Sequence, residues 1–178
     1  MKFTHLSSIA VAVAALGIST IHAGEVKIEG VHMCCDQCVN IAQSKLKGID
    51  GVTDGKADKD AGSITLTAAD DKAASAAIDA LAKAGFRGTA KHGDKALDFP
   101  ASNAEKGAKA DAIAITGVHL CCPACYRAAE KALKSVDGVS AVNSDKKTKT
   151  LEVTGKGVDV NAAIQALFNA GFQAAVKK

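Results

Sequence analysis

The pattern of apolar and polar positions predicts a series of elements that occurs twice along the chain. Residues 25–31, "EVKIEGV", alternate between apolar and polar side chains, which is typical of a half-buried strand. Residues 36–48 place apolar side chains at helical spacing, and Gly48 is a natural end for that helix. Residues 51–58 and 63–68 read as two more strands joined by a polar turn. These segments predict a strand, a helix and a β-hairpin.

A second helix and a last strand complete the series. Residues 70–85 are amphipathic, with acidic residues at the start and Lys83 near the end, which suits the helix dipole. Residues 86–92, "FRGTAKH", predict a short final strand. The resulting order, β-α-β-β-α-β, is the split βαβ arrangement of the ferredoxin-like fold.

The same series returns in the second half of the chain. "GVHMCCDQC" at 30–38 is matched by "GVHLCCPAC" at 117–125. "KAGFRG" at 83–88 is matched by "NAGFQA" at 169–174. We interpret the chain as a tandem duplication of one unit, and we expect an α+β protein of two tandem ferredoxin-like βαββαβ sandwiches.

The repeat also predicts the domain boundaries. The first domain is expected to span 24–93 and the second 111–178. Residues 94–110 between them are small and polar with one proline, so we interpret them as a linker that tolerates some ordered structure.

Residues 1–23 have the layout of a secretory signal peptide. Lys2 is followed by an apolar run and then by one small residue, Ala23, before Gly24, the predicted mature start. The alternative is an uncleaved membrane anchor, but the apolar run is short for a permanent transmembrane helix. We therefore expect a periplasmic or secreted protein whose mature form has no membrane segment.

Composition excludes several classes of function. Aromatic residues make up 3% of the chain and Trp is absent, so the cores must be built mainly from small aliphatic side chains. The net charge of +3 is too weak to indicate nucleic-acid binding. No Ser/His/Asp pattern, phosphate loop or functional carboxylate pair is visible, so we do not expect an enzyme.

The chemistry of the chain is concentrated in six cysteines, all of which lie in the two repeated motifs. A disulfide framework would spread its cysteines along the chain. A c-type heme would need His directly after C-x-x-C, where Val39 and Tyr126 stand instead. Thiolates at the start of a helix form a soft ligand set, which selects Cu(I), Zn(II) and heavier thiophilic ions.

The motif resembles the heavy-metal-associated domain family. Met33, Cys35 and Cys38 fit its M-x-C-x-x-C pattern, and Leu120 replaces the Met in the second copy. The family includes copper chaperones, N-terminal modules of metal-pumping P-type ATPases and the periplasmic mercury-binding protein. The resemblance implies a ferredoxin-like fold, metal held by the C-x-x-C thiols in a surface loop, and the residue at Met33 packed inward as a loop anchor.

The chain departs from the family pattern at two positions in each motif. His32 and His119 replace the usual Gly, and we expect them to be solvated surface imidazoles; strand-like alternation would instead bring His32 near Cys34. An extra Cys34 or Cys121 precedes each pair. The predicted metal ligands are Cys34, Cys35, Cys38, Cys121, Cys122 and Cys125.

The number of thiolates determines which metals are expected. Two thiolates suit linear Cu(I), whereas a third suits trigonal Cu(I) or Hg(II), or tetrahedral Zn(II) with an added His or water. We expect Cu(I), with Zn(II) and Hg(II) as the alternatives. Whether one ion is shared between the two loops is left open by the sequence.

The leading hypothesis is an exported protein that scavenges, buffers or transfers a soft metal by thiolate exchange. Its expected partners are metal ions and either a membrane metal pump or another metal-binding domain. One alternative is a thiol-disulfide redox protein outside the cytoplasm, because vicinal cysteines next to C-x-x-C can carry electrons. Another is a module that presents metal to a membrane pump.

Overall fold

The structure is a computed structural model that describes residues 23–177. The predicted signal peptide, apart from its last residue, lies outside the described residues. The elements in chain order are β1 (Gly24–Glu29), α1 (Asp36–Leu46), β2 (Val52–Asp58), β3 (Ser63–Ala68), α2 (Asp71–Lys83), β4 (Thr89–His92), β5 (Lys95–Leu97), β6 (Lys109–Thr116), α3 (Pro123–Lys134), β7 (Val139–Asp145), β8 (Thr150–Asp159), α4 (Val160–Asn169) and β9 (Ala175–Val176). Within residues 23–177, no helix combines the length and apolar character needed to cross a membrane.

The strands form two separate antiparallel sheets. One has the order β2-β3-β1-β4-β5 and the other β7-β8-β6-β9. Each sheet carries two helices, so each half repeats the β-α-β-β-α-β order. We call residues 24–97 the first unit and residues 109–176 the second unit. The predicted α+β class with two ferredoxin-like sandwiches is confirmed.

Helices α1 and α3, which follow the cysteine loops, begin without a side-chain cap, unlike α2. Asp70 caps α2 by accepting a hydrogen bond from Ala73 N at 2.7 Å. In contrast, Cys35 and Cys122 occupy the N-cap positions of α1 and α3, and neither side chain forms a capping hydrogen bond. The first-turn amides of these two helices are therefore directed toward the cysteine loops, where they favour thiolates.

The cysteine loops are anchored by apolar side chains. Met33 is 6% exposed and Leu120 is 3% exposed, so both lie in the core as the family resemblance implied. Phe86 and Phe172, which follow α2 and α4, are 1% and 0% exposed. Burial of these residues fixes the backbone next to each cysteine pair.

The segment predicted as a linker is largely ordered against the two units. Its strand β5 pairs with β4 and widens the first sheet, and β6 already begins at Lys109. Phe99 is 6% exposed, and Asn103 exchanges two hydrogen bonds of 2.8 Å with the backbone of Val176. Packing of this kind restricts how far the units can move apart.

His92 at the end of β4 packs against the start of α2. Its side chain is 8% exposed, and its Nδ1 lies 2.8 Å from Asp71 Oδ1. The carboxylate stands at the start of α2, so this contact links the last strand to the helix. The sequence did not indicate the pairing because the two residues are distant along the chain.

The two units dock through the segments that follow α2 and α4. Phe86 and Phe172 form an isolated antiparallel bridge between the units. Each contact has a counterpart on the other unit, as expected for an approximate twofold axis between duplicated domains. The backbone hydrogen bonds across the interface run from Arg87 N to Gly171 O (3.2 Å), from Gln173 N to Gly85 O (3.0 Å), from His32 N to Gly171 O (3.3 Å) and from His119 N to Gly85 O (3.3 Å).

Arg87 reinforces this interface with its side chain. Its guanidinium lies 3.6 Å from the ring centroid of Phe168 in the second unit. It also donates hydrogen bonds to Gln173 Oε1 at 2.7 Å and to Pro100 O at 3.0 Å. A single side chain thus contacts both units and the segment that connects them.

Glycine is required where the two backbones meet. Gly85 and Gly171 have φ values of +85° and +83°, which side chains rarely adopt. A Cβ on Gly85 would also lie 2.3 Å from His119 N, and one on Gly171 would lie 2.3 Å from His32 N. The close approach of the units therefore depends on the absence of these two side chains.

We expect Gly85→Ala to separate the units while leaving each sandwich folded. The added Cβ must displace the backbone of the opposing loop, since the clash is with main-chain atoms. Small-angle scattering should show a larger radius of gyration, and circular dichroism should show an unchanged helix content.

Gly107→Ala is the matched control. Gly107 has a φ of +79°, and no atom lies within 4 Å of the point that a Cβ on it would occupy, so it carries the conformational cost without the clash. Equal radii of gyration for the Gly85→Ala and Gly107→Ala proteins would contradict the docking described above.

Candidate metal centre

The two cysteine loops face each other across the interface, and their six cysteines form one cluster that we call the thiol centre. The Sγ–Sγ distances between the units are 3.2 Å for Cys34–Cys122, 3.4 Å for Cys34–Cys125, 3.4 Å for Cys38–Cys121 and 3.9 Å for Cys38–Cys125. Within the units they are 3.8 Å for Cys34–Cys38, 3.6 Å for Cys35–Cys38, 3.7 Å for Cys121–Cys125 and 3.7 Å for Cys122–Cys125. The structure thus brings all six predicted site residues together.

The thiol centre has a buried middle and an open edge. Cys38 and Cys125, the helix cysteines of the two motifs, are both 0% exposed. Cys34 is exposed, and the remaining three cysteines are half-buried. An ion at the middle is shielded from water, whereas a thiol of another protein can approach Cys34.

The sulfur spacing is compatible with coordination by three or four ligands. A metal–sulfur bond of about 2.3 Å separates two sulfurs by about 4.0 Å in trigonal and about 3.8 Å in tetrahedral geometry. The closest sulfur contacts, 3.2 to 3.9 Å, reach these values after small side-chain movements. The extra cysteine in each motif therefore takes part in the geometry of the centre.

The six thiols differ in acidity. The backbone of Cys125 in the first turn of α3 lowers the pKa of Cys122 to about 6, although partial burial opposes it. Burial raises the pKa of Cys38, but hydrogen bonds from the backbone of Cys34 and from Cys121 outweigh it, so the net shift is downward. Burial raises the pKa values of Cys34, Cys121 and Cys125. The centre therefore combines an acidic thiol, Cys122, with thiols that lose their protons only when a cation is bound.

The expectation that the two motif histidines are solvated was wrong. His119 is 5% exposed, and its ring stacks on Phe86 of the first unit with centroids 4.1 Å apart. His32 is half-buried and stacks on Phe172 of the second unit at 4.3 Å. The Nε2 atoms of both rings are buried and have no hydrogen-bond partner within the described part of the chain. Docking of the two units buries both imidazole rings. The sequence of one motif cannot predict this burial, because it depends on the other unit.

Side-chain donors fall into three groups that are compact enough to hold an ion. The ligand atoms of each group lie within 4.8 Å of one another. The groups are Cys38 with His119, Cys121 and Cys125; His32 with Cys34 and Cys125; and Cys34 with Cys35 and Cys122. Every group takes donors from both units, so an ion bound in any of them joins the two domains.

Comparison with known proteins assigns the second unit to a family. Residues 114–173 match the sequence model of the heavy-metal-associated domain. The second unit is a heavy-metal-associated domain. The first unit has the same order of elements and the same cysteine loop, and the family match does not extend to it. The family predicted from the cysteine motif is therefore confirmed for residues 114–173.

Two solved structures are similar to the chain. Oxidised MerP from Ralstonia metallidurans CH34 is 27% identical, with a TM-score of 0.36; the match covers 40% of this chain and 100% of MerP. The N-terminal soluble domains of Bacillus subtilis CopA are 18% identical, with a TM-score of 0.34; that match covers 88% of this chain and 95% of the CopA domains. A search of curated protein sequences finds no match.

We expect Cys122 to be the first thiol that iodoacetamide modifies in the reduced, metal-free chain at pH 7. With a pKa of about 6 it is mostly thiolate at that pH, whereas Cys34 is more exposed but protonated. Its rate should exceed that of Cys34 by at least about tenfold and become constant above pH 7. Time-resolved peptide mass spectrometry measures both rates.

The Cys122→Ser protein provides the control, because it should lose the fast phase and retain the slow ones. If Cys34 reacted first, exposure rather than thiolate formation would govern the reactivity of the centre.

Proposed function

We propose that this chain is an exported soft-metal carrier that binds Cu(I) through its CCxxC loops and transfers it by thiolate exchange. The observation that carries the proposal is the convergence of six cysteine sulfurs from two loops into a single centre, with contacts of 3.2 to 3.9 Å. The heavy-metal-associated domain at residues 114–173 supports a metal-binding role.

The ligand type supports a soft ion. Thiolate sulfur prefers Cu(I), Zn(II) and similar ions over the hard cations that bind carboxylate and carbonyl oxygens. The group of Cys34, Cys35 and Cys122 consists of sulfur alone, which suits trigonal Cu(I). It also lies at the open edge of the centre, because Cys34 is exposed.

The open edge supports transfer to another protein. An incoming thiolate can add to Cu(I) beside Cys34 before a resident sulfur leaves, so the ion is never without ligands. One sulfur–copper bond forms while another breaks, and copper remains Cu(I) throughout. Cys122 suits the role of the resident thiolate, because its pKa of about 6 makes it a weak base and a ready leaving ligand. The partner would be a metal-binding domain or a membrane metal pump with its own exposed thiolates.

Residues 1–23 support action outside the cytoplasm, through the signal-peptide layout of their sequence. In an oxidising compartment the thiols must be kept reduced or occupied by metal, because only thiolates bind the ion. Continuous occupancy by metal is one way to protect six neighbouring cysteines from oxidation.

Competitive Cu(I) titration under anaerobic conditions tests this function. We expect the reduced chain from Gly24 onward to compete with a calibrated Cu(I) chelator. Cys122→Ser should lower the affinity for Cu(I) by at least about tenfold, since Cys122 completes the all-sulfur group with Cys34 and Cys35 of the other unit.

Ala124→Ser is the matched control, because it also places a hydroxyl at a half-buried position at the start of α3 but removes no sulfur. If Cys122→Ser only halved the number of ions bound and left the remaining affinity intact, the units would bind metal independently. If the reduced chain failed to compete for Cu(I) and its thiols cycled readily between reduced and oxidised forms, the redox hypothesis would replace the proposal.

A further inference from the structure

His119 is held in the tautomer that a metal ligand requires. Its Nδ1 lies 3.1 Å from the carbonyl oxygen of Ala84, and a carbonyl oxygen can only accept a hydrogen bond. Nδ1 must therefore carry the proton, which leaves a lone pair on Nε2.

The lone pair of His119 has no protein partner within the described residues. Nε2 is buried without a hydrogen bond, which is costly for a polar atom in an apolar setting. A ring nitrogen of His119 lies within 4.8 Å of the sulfurs of Cys38, Cys121 and Cys125. Because Nδ1 is engaged with the Ala84 carbonyl, Nε2 is the nitrogen that is free to bind an ion beside these sulfurs.

The three sulfurs around this nitrogen have the spacing of one face of a tetrahedron. Their separations are 3.4 Å for Cys38–Cys121, 3.7 Å for Cys121–Cys125 and 3.9 Å for Cys38–Cys125. A tetrahedral ion with metal–sulfur bonds of about 2.3 Å requires about 3.8 Å. The imidazole nitrogen provides the fourth corner.

We propose that Cys38, His119, Cys121 and Cys125 form a closed tetrahedral Zn(II) site that joins the two units. The proposal extends the soft-metal function above and rests on it for the accessibility of the thiols. Three sulfurs and one imidazole without an open position are the ligand set of structural zinc rather than of a transfer site. Zinc at this position holds the units together.

The outer contacts of the site also come from both units. Cys38 belongs to the first unit, whereas the other three ligands belong to the second. The first unit also supplies the Ala84 carbonyl and the Phe86 ring, which fix the orientation of the imidazole. Such an outer partner on the second ring nitrogen is typical of metal-bound histidine. Neither unit alone contains the complete site.

A surface cleft provides a route to these ligands. It has a volume of about 410 Å³ and reaches His119 and Cys121 between α1 and the end of α2. Lys45, Lys83 and Lys149 line it, so a metal complex with anionic ligands is favoured over a bare cation.

The structure distinguishes His119 from its counterpart. Among the described residues, His32 belongs to a group of only three ligands, with Cys34 and Cys125. The duplication therefore produces one four-ligand site rather than two. The thiols that remain, Cys34, Cys35 and Cys122, are the all-sulfur group at the open edge, so Zn(II) and Cu(I) use separate ligands.

Cobalt substitution tests the zinc site directly. We expect the reduced chain from Gly24 onward to bind one Co(II) with the intense visible d–d absorption of a tetrahedral ion, and one equivalent of Zn(II) to remove it. His119→Asn should abolish the tetrahedral spectrum and weaken Zn(II) binding by at least about tenfold. His32→Asn is the matched control and should leave both properties unchanged.

X-ray absorption of the zinc-loaded protein gives an independent measurement, with three sulfurs and one imidazole nitrogen expected. Cys38→Ser, in the other unit, should also remove the tetrahedral Co(II) spectrum, which keeps the test valid if His119→Asn fails to fold. Zinc bound with four sulfurs, or with undiminished affinity in His119→Asn, would overturn the site.

Cu(I) titration of the His119→Asn protein separates this inference from the proposed function. Retained Cu(I) binding with lost Zn(II) binding supports both proposals. Failure of the wild-type chain to bind Cu(I), with normal zinc coordination by His119, would overturn the carrier function and leave the zinc site standing.

Discussion

The close contact of two backbones determines the chemistry of this protein. Gly85 and Gly171 let the segments that follow α2 and α4 approach to hydrogen-bonding distance, and Phe86 and Phe172 pair between them. The cysteine loops lie directly against these segments, so the same contact sets the distance between the sulfurs of the two units. The two cysteine loops thereby form a single thiol centre with a buried interior.

Charge explains why such a centre favours a cation. Neighbouring sulfurs in the thiol centre are 3.2 to 3.9 Å apart, so the six thiols cannot all be ionised together without strong repulsion. In the metal-free state the protons are therefore shared unequally, with Cys122 acidic and Cys34 resistant to ionisation. A bound ion replaces several protons at once, so the affinity for metal must rise with pH. The same ion also attracts both units and stabilises their docking.

Much of the fold and the position of the cysteines at the start of α1 and α3 could be predicted from the sequence, because these features depend on local patterns. The spacing of apolar residues predicted the βαββαβ order, and the repeated cysteine motif predicted the family that matches residues 114–173. The burial of His119 and the sharing of sulfurs between loops could not be predicted, since both arise from docking between domains. The repeated "AGF" at 84–86 and 170–172 was the available signal, because its glycines mark the contact.

Disulfide closure between the units, measured without any metal, tests the shared centre most directly. In a chain with Cys35, Cys38, Cys121 and Cys125 changed to Ser, the remaining Cys34 and Cys122 sulfurs are expected 3.2 Å apart. Mild oxidation should then form an intramolecular disulfide at a rate independent of protein concentration. A rate proportional to protein concentration, with disulfide-linked dimers as the product, would show that the two loops do not face each other and would contradict the account.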